Sequence, residues 1–303
     1  MIADCNSEDA DDVLIGMGGW ELPSFNRVFY PAKLEKGFRK LEYFSRFFDL
    51  VEINSTFYNA SLSAAQAQHW LKDVDENKRF VFTVKLYRGF THTFDATQND
   101  ALAIHRLLDP LRDAKKFGGL VIQFASSFNK TSERQAHLVK LRSLFPEDQL
   151  FLDLRHISWN EESFYQFCRE NGFNLINVDL PRLHGHMPLN SLAWDSVAYF
   201  RMMGRNAETW NHPHSGDRYL YRYSEEELHD LVQRIKQANA RRAYVVFHND
   251  RQAFSLVNGR QVEYVLRPTK RLTTPANLLA AFPQLKSFCD PSISKNDLFL
   301  NPQ

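Results

Sequence analysis

The chain has 303 residues, 44% hydrophobic and 24% charged, with 37 Lys and Arg against 36 Asp and Glu. That balance fits a globular protein with a large core and excludes the global basic charge that draws a chain to nucleic acid or an anionic membrane. The three cysteines, Cys5, Cys168 and Cys289, are far apart and odd in number, which excludes a disulfide frame or a cysteine zinc site and predicts a reducing, cytoplasmic setting.

The first residues, MIADCNSEDADD, are acidic and polar, unlike a signal peptide, and residues 1–12 are expected to form a disordered tail. No apolar run approaches the roughly 20 residues that span a bilayer, so no membrane-spanning segment is expected. Val13 to Gly16 reads as a short buried strand, leading through Gly18 and Gly19 to Trp20. Leu34 to Phe48 carries helix-spaced apolar residues. Asp49 to Asn59, DLVEINSTFYN, is a second strand whose tip turns polar and aromatic. Glu52 stands in its apolar part, where a carboxylate costs several kcal/mol unless it has a partner. A helix over Ser63–Leu71 follows, then a strand over Arg79–Lys85, RFVFTVK.

A helix is expected over Ala96–Phe117 with an interruption at Pro110. Gly118-Gly119 reads as a stop and turn before a fourth strand, Leu120–Gln123. Ser132 to Phe145 is helical, with Thr131 or Ser132 as cap. Leu150–Leu154 is the fifth strand, ending D-L-R-H ahead of Trp159. After a helix over Glu161–Asn171 comes the sixth strand, Phe173–Val178, ending in Asp179. Leu180 to Asp195 is irregular. Val197–Met202 is the seventh strand, and 206–222 a long polar loop of the kind that serves as a lid. Ser224 with Glu227 is a capping box opening a helix to Ala238. Arg242–Phe247 is the eighth strand, ending H-N-D, and its helix spans Gln252–Leu266. Residues 267–303 form an extension with one helical stretch, Thr274–Phe282.

Eight buried strands alternating with helices over about 250 residues predict a single (β/α)8 barrel spanning 13–266. There is no G-x-G-x-x-G and no G-x-x-x-x-G-K-[ST], and no cofactor is expected. In such a barrel the working residues gather at the carboxyl ends of the strands. Here those ends carry Glu52 and Asn54, Lys85 with His92 in its loop, Asp153 and Arg155, Asp179, Arg201 and Arg205, and His248, Asn249 and Asp250. Trp20, Phe57, Tyr58 and Trp159 are expected around the same rim.

Two chemistries fit these residue types. The acids with His248 are hard oxygen and imidazole donors of the sort that hold a divalent metal in a lyase or phosphodiesterase. The cations compete for those acids, no H-E-x-x-H is present and no H-x-H stands at these strand ends, so no metal is expected. Alternatively the arginines and Lys85 clamp a phosphate or carboxylate, with Glu52, Asp153 or Asp179 moving protons and Lys85 a further proton carrier. The expected ligand is then a small anionic substrate or a nucleic-acid fragment. A non-catalytic anion sensor and a scaffold whose ion pairs satisfy one another are the readings outside enzymology.

Taken together, IGMGGW, VEINSTFY, FTVK with TH following, DLRHISW, NVD, YFRMMGR and YVVFHND resemble the DUF72 family, also called YecE-like proteins. The resemblance runs from about Ile15 to Leu266 and implies a TIM-barrel-like fold. It implies site residues at Glu52, Asn54, Tyr58, Lys85, Arg155, Trp159, Asp179, Arg201 and Asn249, without supplying a reaction. The chain departs from the family pattern in having Asp153 in place of Glu, Met203 in place of a rim His, and His248 in place of a second Asn.

Overall fold

A computed structural model describes residues 12–194, 196–212 and 216–292. Asp12 is the only described residue of the expected N-terminal tail, and 293–303 of the C-terminal extension also lie outside the described residues. Eight parallel strands close in sequence order: β1 (Val13–Met17), β2 (Leu50–Ile53), β3 (Val81–Lys85), β4 (Phe117–Gln123), β5 (Leu150–Asp153), β6 (Phe173–Asp179), β7 (Val197–Met202) and β8 (Arg242–Phe247). β8 pairs back onto β1 in five-residue register, Val13 opposite Ala243 to Met17 opposite Phe247. The crossovers carry α1 (Lys40–Ser45), α2 (Ala64–Asp73), α3 (Gln98–Asp113), α4 (Ser132–Leu144), α5 (Glu162–Glu170), α6 (Glu225–Gln237) and α7 (Phe254–Leu266). The β6–β7 connection is irregular, as expected. This is the predicted TIM-like barrel.

Strand periodicity sorts the residues. Successive side chains point alternately into the barrel and out to the helices. One apolar cluster contains Leu14, Leu50, Val81, Val121, Phe151, Ile176, Val178, Tyr199 and Val246, which fill the barrel. Their alternates, such as Ile15, Val51, Phe82, Ile122, Leu152 and Phe200, belong to the larger cluster beneath the helices. Both faces are therefore apolar, and the strands read as continuous hydrophobic runs.

Several elements differ from the sequence expectations. α1 is six residues long, not fifteen: Leu34 is exposed and Gly37 takes φ +86°, so the helix begins only at Lys40. The helical spacing of Phe38, Tyr43, Phe44 and Phe48 instead reflects an aromatic cluster with Phe29 and Tyr30. Pro110 does not interrupt α3. It lies in the last turn, where little of the helix remains to be broken. Gly118 and Gly119 lie within β4, not in a turn before it. The register between β3 and β4 shifts between Phe82 and Thr83, opposite these glycines, and Gly119 takes φ +134°. Glycine there permits a bulge. The extension adds β9 (Leu272–Thr274), α8 (Ala276–Ala281) and β10 (Cys289–Pro291), with β9 and β10 paired in parallel. Arg260 on α7 donates to the carbonyls of Phe47 and Thr273, and Tyr264 stacks on Phe288 at 4.5 Å.

A Cβ at position 119 would stand 2.6 Å from the Phe151 ring and 2.8 Å from the Gln149 carbonyl oxygen. Gly119→Ala is therefore expected to lower the unfolding free energy by about 2–3 kcal/mol, since the clash is with backbone and the φ is unfavourable for an L side chain. Urea denaturation with an unchanged slope checks this.

Candidate active site

The inward alternation continues past the apolar layer and becomes polar. Two residues beyond Leu50, Val121, Phe151, Tyr199 and Val246 come Glu52, Gln123, Asp153, Arg201 and His248. Val81, Thr83 and Lys85 make the same progression on β3. These six side chains thus converge on the axis at the carboxyl end of the barrel because of their parity.

Arg201 is the centre. Its guanidinium is 1% exposed and makes a bidentate pair with Glu52, Nε to Oε2 at 3.0 Å and Nη2 to Oε1 at 2.6 Å. Nη1 donates to Asp153 Oδ2 at 2.5 Å and to Gln123 Oε1 at 2.8 Å. Asp153 in turn receives Arg155 Nε and Nη2, both at 3.1 Å. Tyr199 donates its hydroxyl to Glu52 Oε2 at 2.9 Å and lies 3.0 Å from Thr83 Oγ1. Charge-assisted, paired bonds of this kind are the strong ones, and they satisfy groups whose burial would otherwise be costly.

Electrostatics separate the titratable groups into two kinds. Burial alone would raise Glu52, but Arg201 and His248 outweigh it and hold the carboxyl well below its ordinary range. Burial is likewise overcome at Asp153 by Arg155 and Arg201, and its pKa is lowered. Both carboxylates are fixed as anions. His248 receives a hydrogen bond from Arg201 Nε at Nε2, 3.1 Å away, and burial with Arg201 lowers its pKa to about 4. A neutral imidazole results. It sits where a Cβ on Gly18 would fall, 2.3 Å from its Nδ1.

Lys85 behaves differently. Its ammonium is buried, lies over the Phe57 ring at 3.9 Å from the centroid, and makes no hydrogen bond or ion pair among the described residues. Burial first, then repulsion from Arg201 and Arg155, pull it from 10.5 to about 7, against the opposing pull of Glu52 and Asp153. Nearby, His92 meets Phe57 edge-on at 5.0 Å and pairs with Thr91 Oγ1 at 2.8 Å. Its pKa is lowered by burial, then by Lys85, Arg155 and Arg88. Three cations therefore gather around one half-buried imidazole. Arg88 is exposed and has no acid partner among the described residues.

The remaining expected site residues lie elsewhere. Asp179 has the opposite parity to Val178 and Leu180, so it points away from the axis. It pairs with Arg205 Nε at 2.9 and 3.0 Å and accepts the Tyr223 hydroxyl at 2.6 Å. Burial raises its pKa, with Arg205 and Tyr223 opposing. Arg205 continues to Glu227 at 2.8 Å. Asn249 also faces outward, donating to Tyr221 O and Asn258 Oδ1, both at 2.8 Å. Trp159 is wholly buried, stacked on Phe128, with its indole N–H on Phe128 O at 2.6 Å. Trp20 is partly buried and packs edge-on against Trp70 at 5.9 Å. Asn54 donates to Gly18 O at 3.0 Å, tying the exits of β1 and β2 together. Tyr58, 73% exposed, meets Phe57 edge-on at 5.0 Å and stands open to solvent. Arg88 and Gln123 are absent from the expected site residues, whereas His92 is expected in the loop after Lys85. Gln123 is legible from strand parity, and Arg88 depends on how the loop after β3 folds.

Among the described residues, no group of three or more His, Cys, Asp and Glu is arranged to hold a metal, and no helix is long and apolar enough to cross a membrane. The Glu52 and Asp153 oxygens that a metal would need are taken by guanidinium donors.

Two stability effects follow, of opposite sign. Below pH 7 Lys85 is protonated in both the folded and unfolded states, so folding carries the full cost of burying its charge. Between 7 and 10.5 only the unfolded chain holds the proton, and the cost falls as pH rises. Lys85→Met is therefore expected to stabilise the protein by on the order of a few kcal/mol near pH 6, and by little near pH 10. Glu52→Gln, which leaves Arg201 buried with half its charge uncompensated, is expected to destabilise by about 3 kcal/mol or more. Thermal denaturation at pH 6, 8 and 10 checks both.

The family model described as "Protein of unknown function DUF72" matches residues 14–280. The UPF0759 protein YunF of Bacillus subtilis strain 168 is 28% identical over 269 residues, 82% of this chain and 93% of that protein. A DUF72 family protein from Thermotoga maritima (TM1631) superposes with a TM-score of 0.75 at 30% identity, covering 84% of this chain and 98% of its own. One from Enterococcus faecalis V583 (EF0366) gives 0.73 at 25% identity, covering 84% and 95%. The match of fold, extent and sequence places this chain in the DUF72 family.

Proposed function

We propose that this protein is an enzyme that binds an anionic substrate at the carboxyl end of the barrel, with Lys85 as the proton-transfer group. The observation that carries the reading is the charge count around Lys85. Glu52 and Asp153 supply two negative charges, and Arg155 and Arg201 consume both. Lys85, when protonated, is a third cation with no counterion among the described residues, buried beside two others. A bound phosphate or carboxylate would restore the balance. Arg155 is placed to help, because Nε and Nη2 hold Asp153 while Nη1 makes no bond among the described residues. Arg201 is an internal strut in this reading, not a substrate contact, since four of its five N–H donors are engaged and it is closed to solvent.

Roles follow from the protonation states. Glu52 and Asp153 are held too firmly as anions to act as bases at neutral pH, so they orient Arg201 and Arg155. A lysine titrating near 7 is matched to proton transfer at neutral pH, as base when neutral and as acid once an anion has drawn a proton onto it. Metal-dependent chemistry is less well supported, because a metal would have to displace two bidentate guanidinium pairs.

Sulfate, whose charge is constant over this range, tests the anion site. Isothermal titration should show affinity falling about thirtyfold between pH 6 and pH 8.5, the factor by which the protonated fraction of a group at 7 declines. Lys85→Met should flatten that dependence, whereas Arg155→Ala should weaken binding and keep the slope. Binding with no pH dependence in the native protein would contradict the assignment to Lys85. A sensor without catalysis would bind in the same way yet convert no member of a phosphorylated-metabolite panel.

A further inference from the structure

The surroundings of Lys85 support a more specific chemistry than proton transfer, and it rests on the anion-binding reading above. We propose that Lys85 is a covalent nucleophile that forms an imine with the carbonyl carbon of a substrate bearing a carboxylate or phosphate.

Three features of the geometry point there. The amine is at the end of a barrel strand, rooted below by the buried β3 backbone, with one face against the Phe57 ring and no ion pair or hydrogen bond among the described residues to hold its lone pair. Every carboxylate in the inward layer is bound by an arginine, so none is left to keep Lys85 protonated as a simple ion pair would. Beside it stand Arg155 with an unused edge and half-buried His92, which exposed Arg88 in turn approaches. A lysine desolvated next to other cations is the arrangement that makes an amine nucleophilic at neutral pH. The same cations would hold the substrate's anionic end.

The step balances without a co-reactant. The neutral amine of Lys85 adds to the carbonyl carbon, forming a C–N bond as the C=O π bond opens, and one amine proton passes to the oxygen to give a carbinolamine. Its C–O bond then breaks, the hydroxyl leaving as water with a relayed proton, and the nitrogen gives up its remaining N–H proton in exchange, so both water hydrogens derive from the amine. The C=N bond replaces the C=O bond, and nothing is oxidised or reduced. His92, adjacent to the cluster and lowered below the usual histidine range, is the nearest described imidazole in the loop after β3 suited to carry a proton to the departing oxygen. His248, on the far side of Arg201 and bound to it, is not free for that task.

The test uses the full-length protein with pyruvate or glyceraldehyde 3-phosphate as probe and propionaldehyde as an uncharged control, each with sodium cyanoborohydride at pH 7.5. Intact mass and peptide mapping locate the reduced adduct. The expected result is one adduct on Lys85, formed about a hundredfold faster than on the mean surface lysine, more slowly with propionaldehyde, suppressed by sulfate, and abolished in Lys85→Met. That variant must remain folded by circular dichroism, as its expected gain in stability provides. His92→Gln should slow adduct formation while leaving sulfate affinity within about twofold. Adducts spread evenly over surface lysines, or none on Lys85, would overturn the imine. If sulfate still bound with its Lys85-dependent pH profile, proton transfer would stand and only the nucleophilic role would fall. Loss of both would remove the anion site itself.

Discussion

The arrangement at the top of this barrel depends on one guanidinium. Arg201 brings a full positive charge to the barrel axis, where it is almost closed to water. Such a charge is tolerated only when its donors are met by acceptors. Glu52 from β2, Asp153 from β5 and Gln123 from β4 meet them, so side chains from three strands are fixed around one planar group on a fourth. The planarity matters. A lysine at 201 would offer a point charge, unable to hold Glu52 in two bonds while reaching Asp153 and Gln123 with its other edge. Tyr199 and Thr83, one layer down, join the polar network to the apolar filling beneath it.

This use of the carboxylates has a consequence for function. Acids at the rim of a barrel invite the view that they are the catalytic groups. Here Glu52 and Asp153 are consumed in holding arginines, and their lowered pKa values keep them ionised near pH 7. What remains is the residue that the network excludes. Lys85 is repelled by the same arginines that satisfy the acids, and burial withdraws its solvent. The fold bears that cost in stability, and destabilised groups of this sort concentrate at functional sites. A separate node, Asp179 with Arg205, Tyr223 and Glu227, stands behind β6 and anchors the chain after β7 to the start of α6.

Much of this was legible in the sequence, and for identifiable reasons. The strand count, the sequence order of the barrel and the ends of β7 and β8 followed from apolar runs and stop signals. The convergence of Glu52, Lys85, Asp153 and Arg201 followed from their position at strand ends. Asp179 was grouped with them because it also ends a strand, although counting alternation from Val178 turns it outward. Asn249 was misjudged in the same way. The pair Gly118-Gly119 looked like a turn because glycine marks both turns and bulges, and only the pairing partner distinguishes them. The helical spacing before Phe48 reflected an aromatic cluster that packs over a loop. The site's most distinctive property, a lysine without a counterion among the described residues, is beyond reading from sequence, since it depends on which acids the arginines take. Arg88 is not legible in the sequence because only the conformation of the loop after β3 brings it to His92.

The central claim is therefore about one proton. Selective carbon-13 labelling of the lysine side chains, with Lys85 assigned through Lys85→Met, allows its ammonium to be followed by NMR from pH 5 to 11. The expected result is a midpoint near 7 for Lys85. A Lys85 that stays protonated to pH 10 would show that it has a counterion in solution, and would contradict both its role in proton transfer and its nucleophilic chemistry.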